Sequence, residues 1–250
     1  MTGEHSSKQY DQDLEDIRSK VLLMGGLVES QFSDAVNCLR TGNVEQAEQI
    51  IKADENVNRL EVTLDDSCSH LIVRRQPAAN DLRTVMATIK VITDLERIGD
   101  EATKIARAAM NIQGRGVTTI NQYGTIRVMA QSTANMLREA LDAFARLDEK
   151  HAAEIIGKDE SVDHEFRSIM RNMITFMMED PRTISAALDT LWVAKAIERI
   201  GDHCKNIAEY VIYVVEGKDI RHTNFAAAKH ETRHDAKHDA APEAKQDGQG

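Results

Sequence analysis

The sequence predicts an all-α protein: two tandem, pseudo-symmetric three-helix bundles, six long helices in all, followed by a disordered C-terminal tail. Three observations carry this expectation. First, three prolines and 13 glycines in 250 residues leave too little punctuation for an all-β sandwich or barrel, which needs a turn signal about every 8 to 12 residues. Second, only 4% of residues are aromatic while 42% are hydrophobic, mainly Ala, Ile, Val, Leu and Met, the composition of an aliphatic helical core. Third, the chain repeats itself. Glu96-Arg97-Ile98-Gly99-Asp100 recurs letter for letter as Glu198-Arg199-Ile200-Gly201-Asp202, at an offset of 102. Upstream, Ile50-Ile51 and Asp54-Glu55-x-Val57 return as Ile155-Ile156 and Asp159-Glu160-x-Val162 at an offset of 105, so the second copy has a shorter loop.

Each helix follows from spacing and breakers. Val21, Met24, Val28, Phe32, Ala35 and Leu39 recur at helical intervals and stop at Thr41-Gly42-Asn43, which marks the first helix and its end. A second helix runs from about Val44 to Arg75, and Pro77 separates it from a third, Asn80 to Ile112, that stops at Gly114-x-Gly116. The second copy repeats the plan near Gln122–Leu147, Glu149–Met178 and Thr183–Glu216, with Pro181 standing where Pro77 does and Gly217 closing the last helix. A helix of about 30 residues is about 45 Å long and needs antiparallel neighbours to bury its apolar stripe. The expected domains are residues 8–116 and 117–223, with a tail over 224–250.

The remaining composition excludes several functions. A net charge of -10 opposes DNA or RNA binding. The longest apolar run, Tyr210 to Val215, is far short of the roughly 20 residues of a membrane span, and Met1 to Tyr10 holds no signal-peptide core. Cys38, Cys68 and Cys204 are scattered without a Cys-x-x-Cys spacing, as expected of reduced thiols packed in a cytoplasmic protein. In the tail His230, His234 and His238 recur every four residues. Helical, they would share a face able to take a transition metal; otherwise they belong to a solvating low-complexity segment. No Ser/His/Asp constellation, phosphate-binding glycine loop or dinucleotide fingerprint is present in the sequence.

The chemistry points to the repeated pentapeptide. Glu96 with Asp100, and Glu198 with Asp202, stand at i and i+4 and share a helix face, an arrangement that like-charge repulsion and the intervening glycine both disfavour. Folding the second and third helices of each half about their turn sets Asp54 near Asp100 and Asn58 near Glu96, then Asp159 near Asp202 and Asp163 near Glu198. Such carboxylates resist ionising together without a cation, and an oxygen-only donor set suits magnesium, calcium or manganese, with iron also compatible. The competing reading is a pair of solvated acidic faces held by helix pairs such as Asp100 with Lys104. Glu61 and Asp65 extend the acidic stripe in the first half, where the second half has Phe166 and Met170. The two sites therefore differ.

Smaller features have ordinary expectations. Met170, Met173 and Met177 form a packing stripe. Trp192 is expected buried near the site helix. His164 and His203 lie near the second acidic site, where they could ligate, but a surface role is the reading preferred for each. Arg74-Arg75 is either a helix terminus or a basic patch for a partner.

Arg75-Gln76-Pro77 with Asp81-Leu82-Arg83, Leu95 through Asp100, Met177 through Thr183, Ile197 through Asp202, and Gly217-Lys218-Asp219 with Arg221-His222 together resemble the PhoU family. The resemblance covers about residues 8 to 222. It implies a cytoplasmic, dimeric, two-bundle protein without enzymatic activity. Such a protein links the ATPase subunit of the phosphate ABC transporter, PstB, to the sensor histidine kinase PhoR and represses the phosphate-starvation response when phosphate is plentiful. The family's Glu/Asp-x-x-x-Asp metal motif maps onto Glu96 with Asp100 and Glu198 with Asp202. The alternative from another class is a carboxylate-bridged di-iron oxidase, which needs Glu-x-x-His motifs; the only one here is Glu231 to His234, in the tail.

Overall fold

A computed structural model of the chain describes residues 3–114 and 123–220. The predicted tail and its histidines lie outside the described residues. Six long helices follow in order: α1 (Gly3–Thr41), α2 (Val44–Arg75), α3 (Ala79–Gly114), α4 (Tyr123–Arg146), α5 (Glu149–Glu179) and α6 (Ile184–Glu216), with a short 3-10 turn at Pro181–Thr183 before α6. No described residue is in a strand.

The turns repeat with the sequence. Gly42 ends α1 with φ 64° and Leu147 stands at the equivalent place after α4 with φ 52°. The next residue caps the following helix in both halves. Asn43 Oδ1 accepts from Gln46 N at 3.0 Å, and Asp148 Oδ1 accepts from Lys150 N and His151 N, each at 3.1 Å, so orphan amide groups at both helix starts are satisfied. The left-handed backbone that glycine adopts freely costs Leu147 about 1–2 kcal/mol. At the other end of the hairpins the prolines act as expected. Gln76, φ 46°, closes α2 ahead of Pro77, and Asp180 caps the Pro181 turn by accepting from Arg182 N at 2.9 Å.

Packing makes two bundles that share their third helices. Within the first, α1, α2 and α3 touch pairwise; within the second, α4, α5 and α6 do. The bundles meet through α3 against α6, the most extensive helix pair of all, and through α1 against α4. Outer helices α2 and α5 touch only their own bundle. Central position explains burial: α3 and α6 have apolar residues on almost every side, whereas α2 and α5 bury a single stripe such as Ala47, Ile50, Val57, Leu64, Cys68 and Leu71. The core is aliphatic as composition predicts, with Phe32 the one aromatic among the largest fully buried side chains. All three cysteines are buried and free. No helix of the described residues is long and apolar enough to cross a membrane.

Candidate functional site: an acidic hairpin in each bundle

The glycine of each repeated pentapeptide faces the second helix of its own bundle. A Cβ added at Gly99 would lie 3.1 Å from Asp54 Oδ1 and 3.4 Å from Gln31 Oε1, and one at Gly201 would lie 3.7 Å from Asp159 Oδ1. At Gly99 glycine therefore lets the carboxylate of the facing helix approach the backbone closely, whereas at Gly201 the contact would be an ordinary one. Asp54 with Asp100 and Asp159 with Asp202, the predicted pairings, are each electrostatically coupled.

In the first bundle the carboxylates repel one another in a partly desolvated groove. Burial raises Asp54 above the usual carboxylate range, Asp100 raises it further, and the Gln31 amide and Arg107 oppose the rise. Burial also raises Glu96, helped by Asp100, Glu61 and Asp54 and opposed by Arg97. Glu61 rises by burial, then through Asp65 and Asp100. Asn58 is exposed on α2, and Glu61, three residues on, joins Asp54 in acting on Glu96 and Asp100 from this helix. Asp54 Oδ1 and both amide atoms of Gln31, a side chain of α1 that is 6% exposed, are buried and out of hydrogen-bonding geometry, although the amide lies close enough to the carboxylate to oppose its rise. Buried polar atoms left in this state cost about 1–3 kcal/mol each.

The second bundle answers the same problem with its own cation. Asp159, 6% exposed, accepts from Lys205 Nζ at 2.9 Å, a contact that raises the lysine pKa. Asp163 accepts from Arg167 at 3.1 Å, and Glu198 pairs with Lys195. Asp202 keeps the unfavourable position: burial, then Glu198 and Asp159, push it up to about 6, with Lys195 opposing. Position for position, Lys205 corresponds to Thr103, so the first bundle lacks that ammonium.

Other expectations are corrected. Trp192 is 69% exposed, because it lies on the outer stripe of α6. His203 turns away from the second acidic site, its Nδ1 2.7 Å from Asp94 of α3, whereas His164 is exposed, in keeping with its surface reading. Lys104 pairs with Glu101 at 2.9 Å rather than with Asp100. Arg74 and Arg75 do stand in the last turn of α2, as a helix terminus requires, and Arg75 also clasps Asp13 of α1 at 2.9 Å. Of the methionine stripe, Met173 is buried. Sequence spacing missed Gln31 and Lys205. Lys205 was findable by aligning the two halves, whereas Gln31 comes from a helix outside the repeated segment.

Donor chemistry in the first bundle fits a hard cation: oxygen ligands only, raised carboxylates, and unpartnered Asp54 Oδ1 and Gln31 Oε1. As placed, no three His, Cys, Asp or Glu side chains among the described residues converge to hold a metal ion.

Two linked three-helix bundles, each carrying an acidic hairpin, define an all-α protein of the two-bundle class. Residues 21–109 and 126–211 match the PhoU domain model. The chain is 44% identical over 91% of its length to the "phosphate-specific transport system accessory protein PhoU homolog" of Pseudomonas aeruginosa, covering 93% of that relative. It is 43% identical over 88% of its length to the corresponding accessory protein of Escherichia coli, covering 90% of it. The crystal structure of PhoU from Pseudomonas aeruginosa superposes with a TM-score of 0.81, at 44% identity, over 84% of this chain and all of that one. The phosphate transport system regulatory protein PhoU of Streptococcus pneumoniae does so with a TM-score of 0.77 at 27% identity, over 84% and 98%. The chain belongs to the PhoU family.

Proposed function

We infer that this chain is a non-enzymatic regulator in the cytoplasm that couples the phosphate ABC transporter to a sensor histidine kinase. It represses the phosphate-starvation response and restrains uptake when phosphate is plentiful. An accessory and regulatory role in phosphate transport is the common ground of its relatives. The ATPase subunit PstB, the kinase PhoR and a homodimeric state are the finer parts of the reading. The observation that carries it is the identical pentapeptide in register, which sets two acidic hairpins on either side of the α3–α6 interface.

Asp54, Glu61, Glu96 and Asp100 would hold a divalent or iron-type cation in the first bundle, and Glu198 with Asp202 in the second; a bound cation would offset the carboxylates that no lysine answers in the first hairpin and Asp202 in the second. Gly99 sets the approach of Asp54 to α3, and Lys205 neutralises the buried Asp159. The oxidase reading is not favoured. His203, the histidine next to Asp202, is engaged by Asp94 instead.

Deleting the gene in a strain carrying a reporter of a phosphate-starvation promoter tests the reading. Constitutive expression in high phosphate is expected. Wild-type repression in the deletion strain would overturn it.

A further inference from the structure

Bundles related by pseudo-symmetry should present two equivalent clefts, one at each end of the α3–α6 contact, and here the two ends differ. At one end Lys90 of α3 lies over the rings of Tyr210 and Tyr213 of α6, 5.4 and 5.8 Å from their centroids. At the other end, the residues equivalent to those tyrosines by the offset of 102 are Ala108 and Asn111, and the equivalent of Lys90 is Trp192. Without the two rings a cleft of about 520 Å3 opens there, lined by Ala108, Asn111 and Trp192.

Charge distinguishes this cleft from the rest of an acidic chain. Lys104, Arg107, Lys195 and Arg199 line it with Glu101 and Asp189. Lys195 pairs with Glu198, which leaves one positive charge in surplus, and Arg107 is the cation that no carboxylate clasps among the ion pairs of the described residues. Glu101 already binds Lys104 at 2.9 Å and Arg199 at 3.1 Å. Beyond the cleft the exposed stripe of α6 continues through Leu188 and Ile184, 45% and 42% exposed. From Ile184 to Arg199 that stripe is about 22 Å long at 1.5 Å per residue, which suits a helix lying along it better than a mononucleotide.

We propose that the cleft between α3 and α6 around Trp192 is a docking groove for an acidic, amphipathic helix of a protein partner, which inserts aromatic side chains where Ala108 and Asn111 leave room. The opposite end shows the fit: two tyrosines three residues apart on one helix, capped by a cation. Here the cations are Lys104 and Arg107, and Trp192 supplies an aromatic face for the incoming rings. Flanking acidic residues on the partner helix meet the surplus of positive charge, and apolar ones cover Leu188 and Ile184. The inference depends neither on a bound metal nor on the phosphate-response reading.

Trp192 is the chain's sole tryptophan, so its emission reports directly on the groove. The full chain is titrated with a synthetic peptide carrying two tyrosines three residues apart among glutamates. A saturable change in emission is expected, weakened about tenfold or more by Arg107→Glu. The double variant Ala108→Tyr, Asn111→Tyr, which rebuilds the rings of the opposite end, should abolish it while circular dichroism reports an intact helical fold. If that double variant does not fold, Arg107→Glu and Lys104→Glu decide. Failure of the wild type to bind overturns the proposal. So does equal binding of the same peptide with alanine for tyrosine, binding unaffected by charge reversal or plugging, or a saturable response to ATP in place of the peptide.

Discussion

Lys205 Nζ lies 2.9 Å from Asp159 Oδ2, and the equivalent position in the first bundle is Thr103, whose hydroxyl donates to the Asp100 carbonyl of its own helix. One amino acid thus separates a hairpin whose buried aspartate has its own ammonium from one whose aspartate lacks it. Thr103→Lys should therefore lower the affinity of the first hairpin for a divalent ion by about tenfold or more, an effect of about 1.4 kcal/mol. Calorimetric titration with manganese measures it, and unchanged binding would show that Asp54 takes no part. The reverse change, Lys205→Met, leaves Asp159 buried without its cation. Because the lysine is partly exposed, the loss is expected at about 1–2 kcal/mol, below the range for breaking a fully buried pair, read from the urea midpoint.

Glycines at the two pentapeptides should answer differently to alanine. In a helix the exchange gains about 1 kcal/mol. At Gly201 the new Cβ meets Val162 Cγ1 at 3.4 Å, an ordinary contact, so Gly201→Ala should raise Tm. At Gly99 it meets the unpartnered Asp54 Oδ1 at 3.1 Å, which pushes the carboxylate out of its groove and cancels the gain. Thermal melts of the two variants check the contrast, and equal increases would remove the argument for a close approach at Gly99.

How much of this was legible depends on the range of the interaction. Helix ends at Gly42, Pro77, Pro181 and Gly217 are local events, fixed by residues next to one another, and the facing of Asp54 with Asp100 needs only equal distance from a turn. The exposure of Trp192, the turn of His203 toward Asp94 and the arrival of Gln31 beside Asp54 depend on how one bundle or helix lies against another. Periodicity marks an apolar face without saying whether a helix or solvent meets each part of it.

Acidity should destabilise the chain at neutral pH. Asp202 is pushed up to about 6 from an ordinary value of 3.8, so between those values the native state binds more protons than the unfolded chain and stability falls as pH rises. Asp54, Glu61 and Glu96 shift in the same direction. Asp13 and Asp180 are held below the ordinary range; their contribution fades only at lower pH. With chelator present, Tm should be at least about 2 °C higher at pH 5 than at pH 7.5, the shift that about 1 kcal/mol gives a chain of this length. Asp202→Asn should flatten the profile.

The contact between the bundles has its own critical residue. Asp94 is 1% exposed and faces His203 Nδ1 at 2.7 Å and Asn206 Nδ2 at 3.3 Å, with Arg97 at 4.0 Å on its own helix. Its equivalent in α6 is Ala196, so this acceptor serves only one end of the α3–α6 interface. Asp94→Ala strands the two donors in a closed interface, and the cost is expected at about 1–3 kcal/mol. Glu101→Gln, at the other end, breaks contacts to Lys104 and Arg199, whose side chains are half exposed and rehydrate readily, so it should cost less than about 1 kcal/mol. Urea unfolding compares the two, and amide exchange should show faster opening of α3 and α6 in Asp94→Ala. Equal stabilities would mean that apolar packing alone holds the bundles together.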